Sequence, residues 1–153
     1  MIYNLIGDKT IMKIVNFFMK TIIRSPLHGI ISKGILLITY LGWKSGNFYT
    51  VPVQYVQDGD TVWLSSTKDR VWWRNMVGGA AVTLRLQGKD VKGKADAYED
   101  DRKVEDGLTA IFKADPNFAK YFKVSLDENG QPNPAELAET VKTNVVVEIK
   151  LSE

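Results

Sequence analysis

The chain has no cysteine and a single histidine among its 153 residues, and these two scarcities remove whole classes of chemistry. Without cysteine there is no disulfide framework, no thiolate metal site and no cysteine nucleophile, and the expected compartment is the cytoplasm. With His28 alone, a His-rich zinc site is excluded, and a serine-type triad would have to be built around that one side chain. His28 reads as an ordinary, partly exposed helix residue, and no metal is expected. An excess of one charge is also missing. Twenty Lys and Arg stand against eighteen Asp and Glu, a net +2, which argues against nucleic acid as a partner. There is no GxSxG elbow, Walker loop or HExxH, and no GxGxxG opens a helix after a strand. The adjoining carboxylates Glu99-Asp100-Asp101 and Glu105-Asp106 fall at a helix start or along its face, where they answer the helix dipole rather than make an acid/base pair.

No apolar run is long enough to span a bilayer. The longest candidate, Ile11 to Ile23, is short of the roughly 20 residues a spanning helix needs, and no small-residue cleavage site follows it. Lys13, Asn16 and Lys20 recur at helical spacing and draw one basic stripe along it. Two readings stay open. Residues 11–23 pack on the rest of the protein or on a second subunit, making a homodimer, or they lie on an anionic membrane surface as a peripheral contact.

What the sequence does contain is one domain's worth of apolar residues, 44% of the chain. Residues 1–34 read as two N-terminal helices, capped at Asp8 and at Ser25-Pro26, that pack on a barrel or a membrane. Residues 35–153 read as the barrel. Strands are predicted over Ile35–Leu41, Phe48–Val56 and Thr61–Ser65, with turns at Lys44–Asn47 and Asp58–Asp60. Val51, Val53 and Tyr55 share a face of the second. A polar break, Ser66–Arg70, leads to a short helix, Val71–Val77, stopped by Gly78-Gly79. Ala81–Gln87 alternates, with Val82, Leu84 and Leu86 inward; Gly88–Asp90 turns it into Val91–Tyr98, whose Gly93, Ala95 and Ala97 suit a crowded interior. Glu99–Phe122 reads as helix broken at Asp115-Pro116, Asp127–Pro134 as loop, and Asn144–Leu151 as the last strand. The class is α+β, mostly β: a closed or split barrel of about six antiparallel strands with flanking helices, because closure removes exposed edges.

Two places carry donors in the right company. Gly42-Trp43-Lys44-Ser45-Gly46-Asn47 offers an ammonium, a hydroxyl and backbone N–H groups beside two glycines, which suits a phosphate and equally suits a solvated hairpin turn. Ser65-Ser66-Thr67-Lys68 places hydroxyls at a strand end just before Trp72-Trp73-Arg74-Asn75. Hydroxyls and strand-end N–H groups can hydrogen-bond the carbonyls and nitrogens of a flavin-like ring, and the tryptophans can wall it.

The order LITYLGWKSGNFYTVPVQYVQDGDTVWLSS from Leu37, then VWWRNMVGGAAVTLRLQGKDVKG from Val71 to Gly93, resembles the deazaflavin-dependent nitroreductase family of the flavin/deazaflavin oxidoreductases. The approach RSPLHGIISKG, Arg24 to Gly34, and the Val-rich last strand extend the likeness over most of the chain. The resemblance implies an FMN-binding-type split β-barrel whose segment Ile35 to Gly88 holds coenzyme F-420 or, alternatively, FMN. It implies a hydride passed to a hydrophobic oxidised substrate, a quinone, an activated alkene or a nitroaromatic. It further implies that Lys44, Ser45 and Gly46 grip phosphate, that Pro52 and Val53 run beside the ring, and that Ser65, Ser66 and Thr67 face its reactive part. Thr67 is then the hydroxyl nearest the hydride-transfer centre, with Ser66 beside it. Lys68, Trp72, Arg74 and Asn75 complete the cofactor set, and Tyr121 borders the substrate. The turn departs from the family pattern at Trp43, where an arginine is usual, so Lys33, Lys44, Lys68, Arg70 and Arg74 are the cations left for an acidic tail. A non-catalytic barrel binding a flavin, a tetrapyrrole or a lipid is the competing expectation.

Overall fold

The computed structural model describes residues 34–152. The two expected N-terminal helices, the stripe on 11–23, His28 and Lys33 lie outside the described residues.

Alternating apolar side chains need an enclosed face, and six strands supply it by closing on themselves. β1 (Ile35–Leu41), β2 (Phe48–Asp58), β3 (Thr61–Thr67), β4 (Ala80–Leu86), β5 (Lys89–Tyr98) and β6 (Asn144–Leu151) are joined in the order β1-β2-β3-β6-β5-β4. β4 returns to β1 through Leu37↔Arg85, Ile38↔Leu84 and Thr39↔Thr83. Every pairing is antiparallel. The register sets Leu36 opposite Val53 and Ile38 opposite Val51, so their side chains meet inside with Tyr55, Val62, Leu64, Leu84, Val145, Val147 and Ile149. Each fully buried Leu or Ile there contributes about 1.5–3 kcal/mol. Ala95 and Ala97 fill the crowded side as expected.

A second core lies outside the barrel. The helix α1 (Asp101–Ala114) carries Val104, Leu108, Ile111 and Phe112 on one face, at helical spacing, and sets them against Val56 and Val146 of the sheet's outer surface. Asp100 caps α1 by accepting the Lys103 N–H at 3.2 Å. After α2 (Asn117–Tyr121), the helix α3 (Pro134–Val141) adds Leu137 and Val141 to the same cluster. Asn133 caps it by accepting the N–H groups of Ala135 and Glu136. Among the described residues no helix is long and apolar enough to cross a membrane.

The structure departs from the sequence reading in four places. Strand β2 runs two residues further, to Asp58. β3 also continues two residues, through Ser66 and Thr67, because these pair with Val145 and Asn144 of β6, partners almost eighty positions away. The expected polar break therefore starts later. The β4–β5 turn is Gln87-Gly88, with φ of 48° and 82°, and Lys89 and Asp90 already belong to β5. Pro134 opens α3 instead of closing a loop, which is what a proline at the first helical position behind an Asn cap favours.

α1 approaches β6 closely at Gly107. A Cβ there would meet Val146 Cγ2 at 2.6 Å and its Cβ at 3.0 Å, so no rotamer of Val146 relieves the contact. Although alanine is the better helix former by about 1 kcal/mol, Gly107→Ala should leave the protein about 1–3 kcal/mol less stable, read from urea denaturation. A stabilised variant would show that α1 can lift off the sheet freely.

Candidate functional site

The barrel is not laced evenly. β2 pairs with β3 only from Tyr55↔Leu64 to Asp58↔Thr61, whereas β2 follows β1 as far as Phe48 and β3 follows β6 as far as Thr67. Past Tyr55 and Leu64 the two strands part. A cleft of about 100 Å³ occupies the gap, lined by Val53 and Gln54 from β2, Ser65, Ser66 and Thr67 from β3, and Arg70, Trp72, Tyr121, Phe122 and Asn144. Among the described strands none pairs with this side of β2 from Phe48 to Gln54, so main-chain donors and acceptors face the cleft.

The wall opposite that edge is held by indoles. Trp72 Nε1 donates to Ser66 Oγ at 3.1 Å, and Trp73 Nε1 donates to the Thr67 carbonyl at 3.2 Å. Trp73 is buried in the barrel core and Trp72 half-buried at the cleft, so of the tandem pair one indole is core and the other is wall. Both lie on a 3-10 turn, Trp72–Met76. The Thr67 side chain hydrogen-bonds Asp69, and this bond is the main reason the Asp69 carboxyl lies below the usual carboxylate range.

The β1–β2 turn is at the same end of the barrel, since β1 and β3 run parallel to one another on either side of β2. Its shape comes from its own polar groups. Gly46 N–H donates to Gly42 O and Asn47 N–H donates to Ser45 Oγ, while Ser45 Oγ and Tyr49 OH share a hydrogen bond of 3.0 Å. With Gly42 N–H donating to Asn47 O as well, three N–H groups that the sequence made available to a phosphate are used within the turn. An anion there is left the Lys44 ammonium and the Ser45 hydroxyl as its side-chain donors. Gly42 is obligatory, because a Cβ would meet the Tyr49 ring at 2.5 Å. Tyr49 in turn stacks on Tyr40 at 5.9 Å, and burial, with Tyr49 as the lesser cause, pushes the Tyr40 phenol up to about 12.

Asn75 connects the two parts. Its Oδ1 accepts the Trp43 N–H at 3.1 Å and its Nδ2 donates to the Trp72 carbonyl at 3.0 Å, which fixes the orientation of the amide. The turn and the indole wall therefore share one side chain.

Of the residues picked from sequence, the cleft gathers Val53, Ser65, Ser66, Thr67, Trp72 and Tyr121. Lys44, Ser45 and Gly46 form the neighbouring turn. Pro52 is buried and does not line the cleft. Lys68 turns towards the N-terminus of α1, 4.0 Å from Asp101, and Arg74 lies over the Trp73 ring at 5.4 Å. Gln54, Phe122 and Asn144 line the cleft and were not singled out. Asn144 is buried and donates to the Thr140 carbonyl at 2.9 Å, tying the end of α3 to the cleft. Nothing in the local pattern marks these three; they arrive from separate elements.

Comparison with known proteins gives a family. Residues 20–126 match the model of the F420H(2)-dependent quinone reductase family. No curated protein sequence matches significantly. Among solved structures, a candidate pyridoxamine 5'-phosphate oxidase from Listeria innocua superposes with a TM-score of 0.52 at 14% identity, over 83% of this chain and 90% of that one. What the two share is the fold of the barrel. An F420-H2 dependent reductase has a TM-score of 0.45 at 17% identity, over 78% of this chain and 95% of its own. A candidate 5-nitroimidazole antibiotic resistance protein from Bacteroides thetaiotaomicron has 0.47 at 16%, over 97% and 82%.

Two expected outcomes test the geometry. Thr67→Val removes the hydroxyl that favours the charged form of Asp69, so the Asp69 carboxyl should titrate at higher pH in an NMR titration. Asn75→Ala should lose about 1–2 kcal/mol in urea denaturation and speed amide exchange at Trp43. Unchanged exchange would mean that Asn75 does not hold the turn.

Proposed function

Since the chain belongs to the F420H(2)-dependent quinone reductase family, and is thereby an oxidoreductase that uses the deazaflavin coenzyme F-420, we propose that the coenzyme's ring enters the β2–β3 cleft and that the substrate reduced there is a quinone. The observation carrying this reading is the parting of β2 from β3 after Tyr55 and Leu64, which sets a main-chain edge, without a partner among the described strands, opposite the hydroxyl-bearing end of β3. A flat ring rich in carbonyl and nitrogen groups needs such an edge on one side and an apolar wall on another. Val53, Trp72 and Phe122 supply the wall.

The residues fit the group. When bound, reduced coenzyme F-420 supplies a hydride, so the protein's own work is positioning and exclusion of water. The β2 backbone about Val53 would orient the ring by hydrogen bonds. Ser65 and Thr67 would hold its polar rim, Thr67 as an acceptor, since its own proton is given to Asp69. Ser66 is engaged by Trp72 and acts by fixing that wall. Lys44 and Ser45, at the adjoining turn, would take the coenzyme phosphate. Tyr121 and Phe122, at the end of α2, would border the substrate. Two electrons and two protons turn a quinone into a hydroquinone, one proton arriving with the hydride and the other from solvent through the cleft.

FMN in place of the deazaflavin is the second reading, favoured by the same edge and wall because the two rings share their outline. Titration with each coenzyme separates the readings. Micromolar binding of coenzyme F-420, with oxidation of its reduced form by a water-soluble quinone, is expected. Lys44→Ala should weaken that binding by roughly tenfold to a hundredfold, the loss of one charge-assisted contact. Binding of neither coenzyme at micromolar protein would overturn the proposal, and binding without turnover would make the protein a carrier.

A further inference from the structure

Two polar residues among the described ones are buried, Thr61 and Asn144, and they differ in how they are satisfied. Thr61 Oγ1 donates to Asp60 Oδ1 at 3.3 Å and accepts from Lys150 Nζ at 2.8 Å, so its hydroxyl is used in both senses. Asn144, 9% exposed where it lines the cleft, is used in one sense only. Its Nδ2 donates to the Thr140 carbonyl at 2.9 Å and to Thr143 Oγ1 at 3.2 Å, which spends both hydrogens. A carbonyl cannot donate, so the Thr140 bond also fixes which end of the amide is which. What the side chain has left for the cleft is Oδ1, an acceptor without a donor among the described residues. Nearly every buried polar atom in a folded protein has a partner, and here the partner must come from what enters the cleft.

The groups beside Asn144 are committed in the same direction. Thr67, opposite it on the β3–β6 ladder, gives its proton to Asp69, and Ser66 donates to the Thr67 carbonyl at 3.4 Å while accepting the Trp72 indole. This side of the cleft therefore offers lone pairs, with Ser65 the hydroxyl still able to give a proton. A ligand carbonyl set against Asn144 would leave two acceptors facing each other. A ligand N–H would satisfy one.

We infer that Asn144 Oδ1 accepts the imide N–H of the coenzyme's pyrimidine ring and thereby decides which edge of the ring lies against β6. The inference rests on the reading that the ring enters the cleft. Deazaflavin and flavin both carry this single N–H between two carbonyls, so the donor goes to the acceptor and the carbonyls are left for the Ser65 hydroxyl and the main chain of β2. The amide is held for this role by the end of α3, through Thr140.

The test measures binding to the full chain, by coenzyme fluorescence, of coenzyme F-420 and of the same coenzyme methylated at the imide nitrogen. Methylation removes the donor and should weaken binding to the unaltered chain by about tenfold. Asn144→Ala should weaken binding of the unmodified coenzyme by a similar factor, and methylation should then cost little more, because the pair is already broken. Circular dichroism and urea denaturation check the fold of Asn144→Ala, which also loses its bond to Thr140. The comparison of the two coenzyme forms on the unaltered chain does not depend on that variant. Equal binding of both forms by the unaltered chain overturns the inference. So does an equal loss on methylation in the two proteins, which would place the imide elsewhere. Either result leaves the coenzyme bound and the reading of the cleft standing, whereas binding of neither form brings down both.

Discussion

β3 shares its two edges unequally, and the candidate site depends on that asymmetry. From Thr61 to Leu64 it is hydrogen-bonded on both sides, to β2 and to β6; from Ser65 to Thr67 it keeps only β6. A barrel closed along its whole length would have no room for a ring-shaped ligand, because its interior is filled by Leu, Ile and Val. By releasing β2 over the last three of the seven residues of β3, the fold makes an opening without losing the core, and it leaves main-chain polar groups that need partners. With no partner among the described strands, that edge is a stability liability, and it is the surface proposed above to receive the coenzyme.

The side chains around the opening keep it from collapsing. Trp73 is buried and anchors the segment after β3 by its bond to the Thr67 carbonyl, which lets Trp72 stand at the cleft with its indole on Ser66. Asn75 carries the same segment across to the β1–β2 turn. The turn and the wall are therefore tied by one side chain. Gly42, Tyr49 and Tyr40 back the turn from behind, so that the protein's own packing sets its shape.

The two ends of the barrel have different work. One is closed by the tight turns at Gly59-Asp60 and Gln87-Gly88. The other holds the cleft and the Lys44 turn, while the second core, under α1 and α3, covers the outer faces of β2, β3 and β6. That division lets the helices stabilise the barrel without obstructing its open end.

Much of the fold was legible because alternation is a local property. β1 and β6 fall where the pattern puts them, and the inward residues of β4 are those its period of two selects. Helix α3 was not, since its signal is short and its stability comes from Leu137 and Val141 meeting α1 and β6. For the site, the hydroxyls of Ser65, Ser66 and Thr67 and the ring of Trp72 could be picked out as chemistry. That they face Gln54, Phe122 and Asn144 across a gap could not, because each arrives from a different element. By itself the sequence determined the hydroxyl and indole part of the cleft lining and the strands that carry it. Only the tertiary structure decided where β2 leaves β3, since β2 stays with β1 as far as Phe48 while β3 stays with β6 as far as Thr67, and both partners are chosen by long-range pairing.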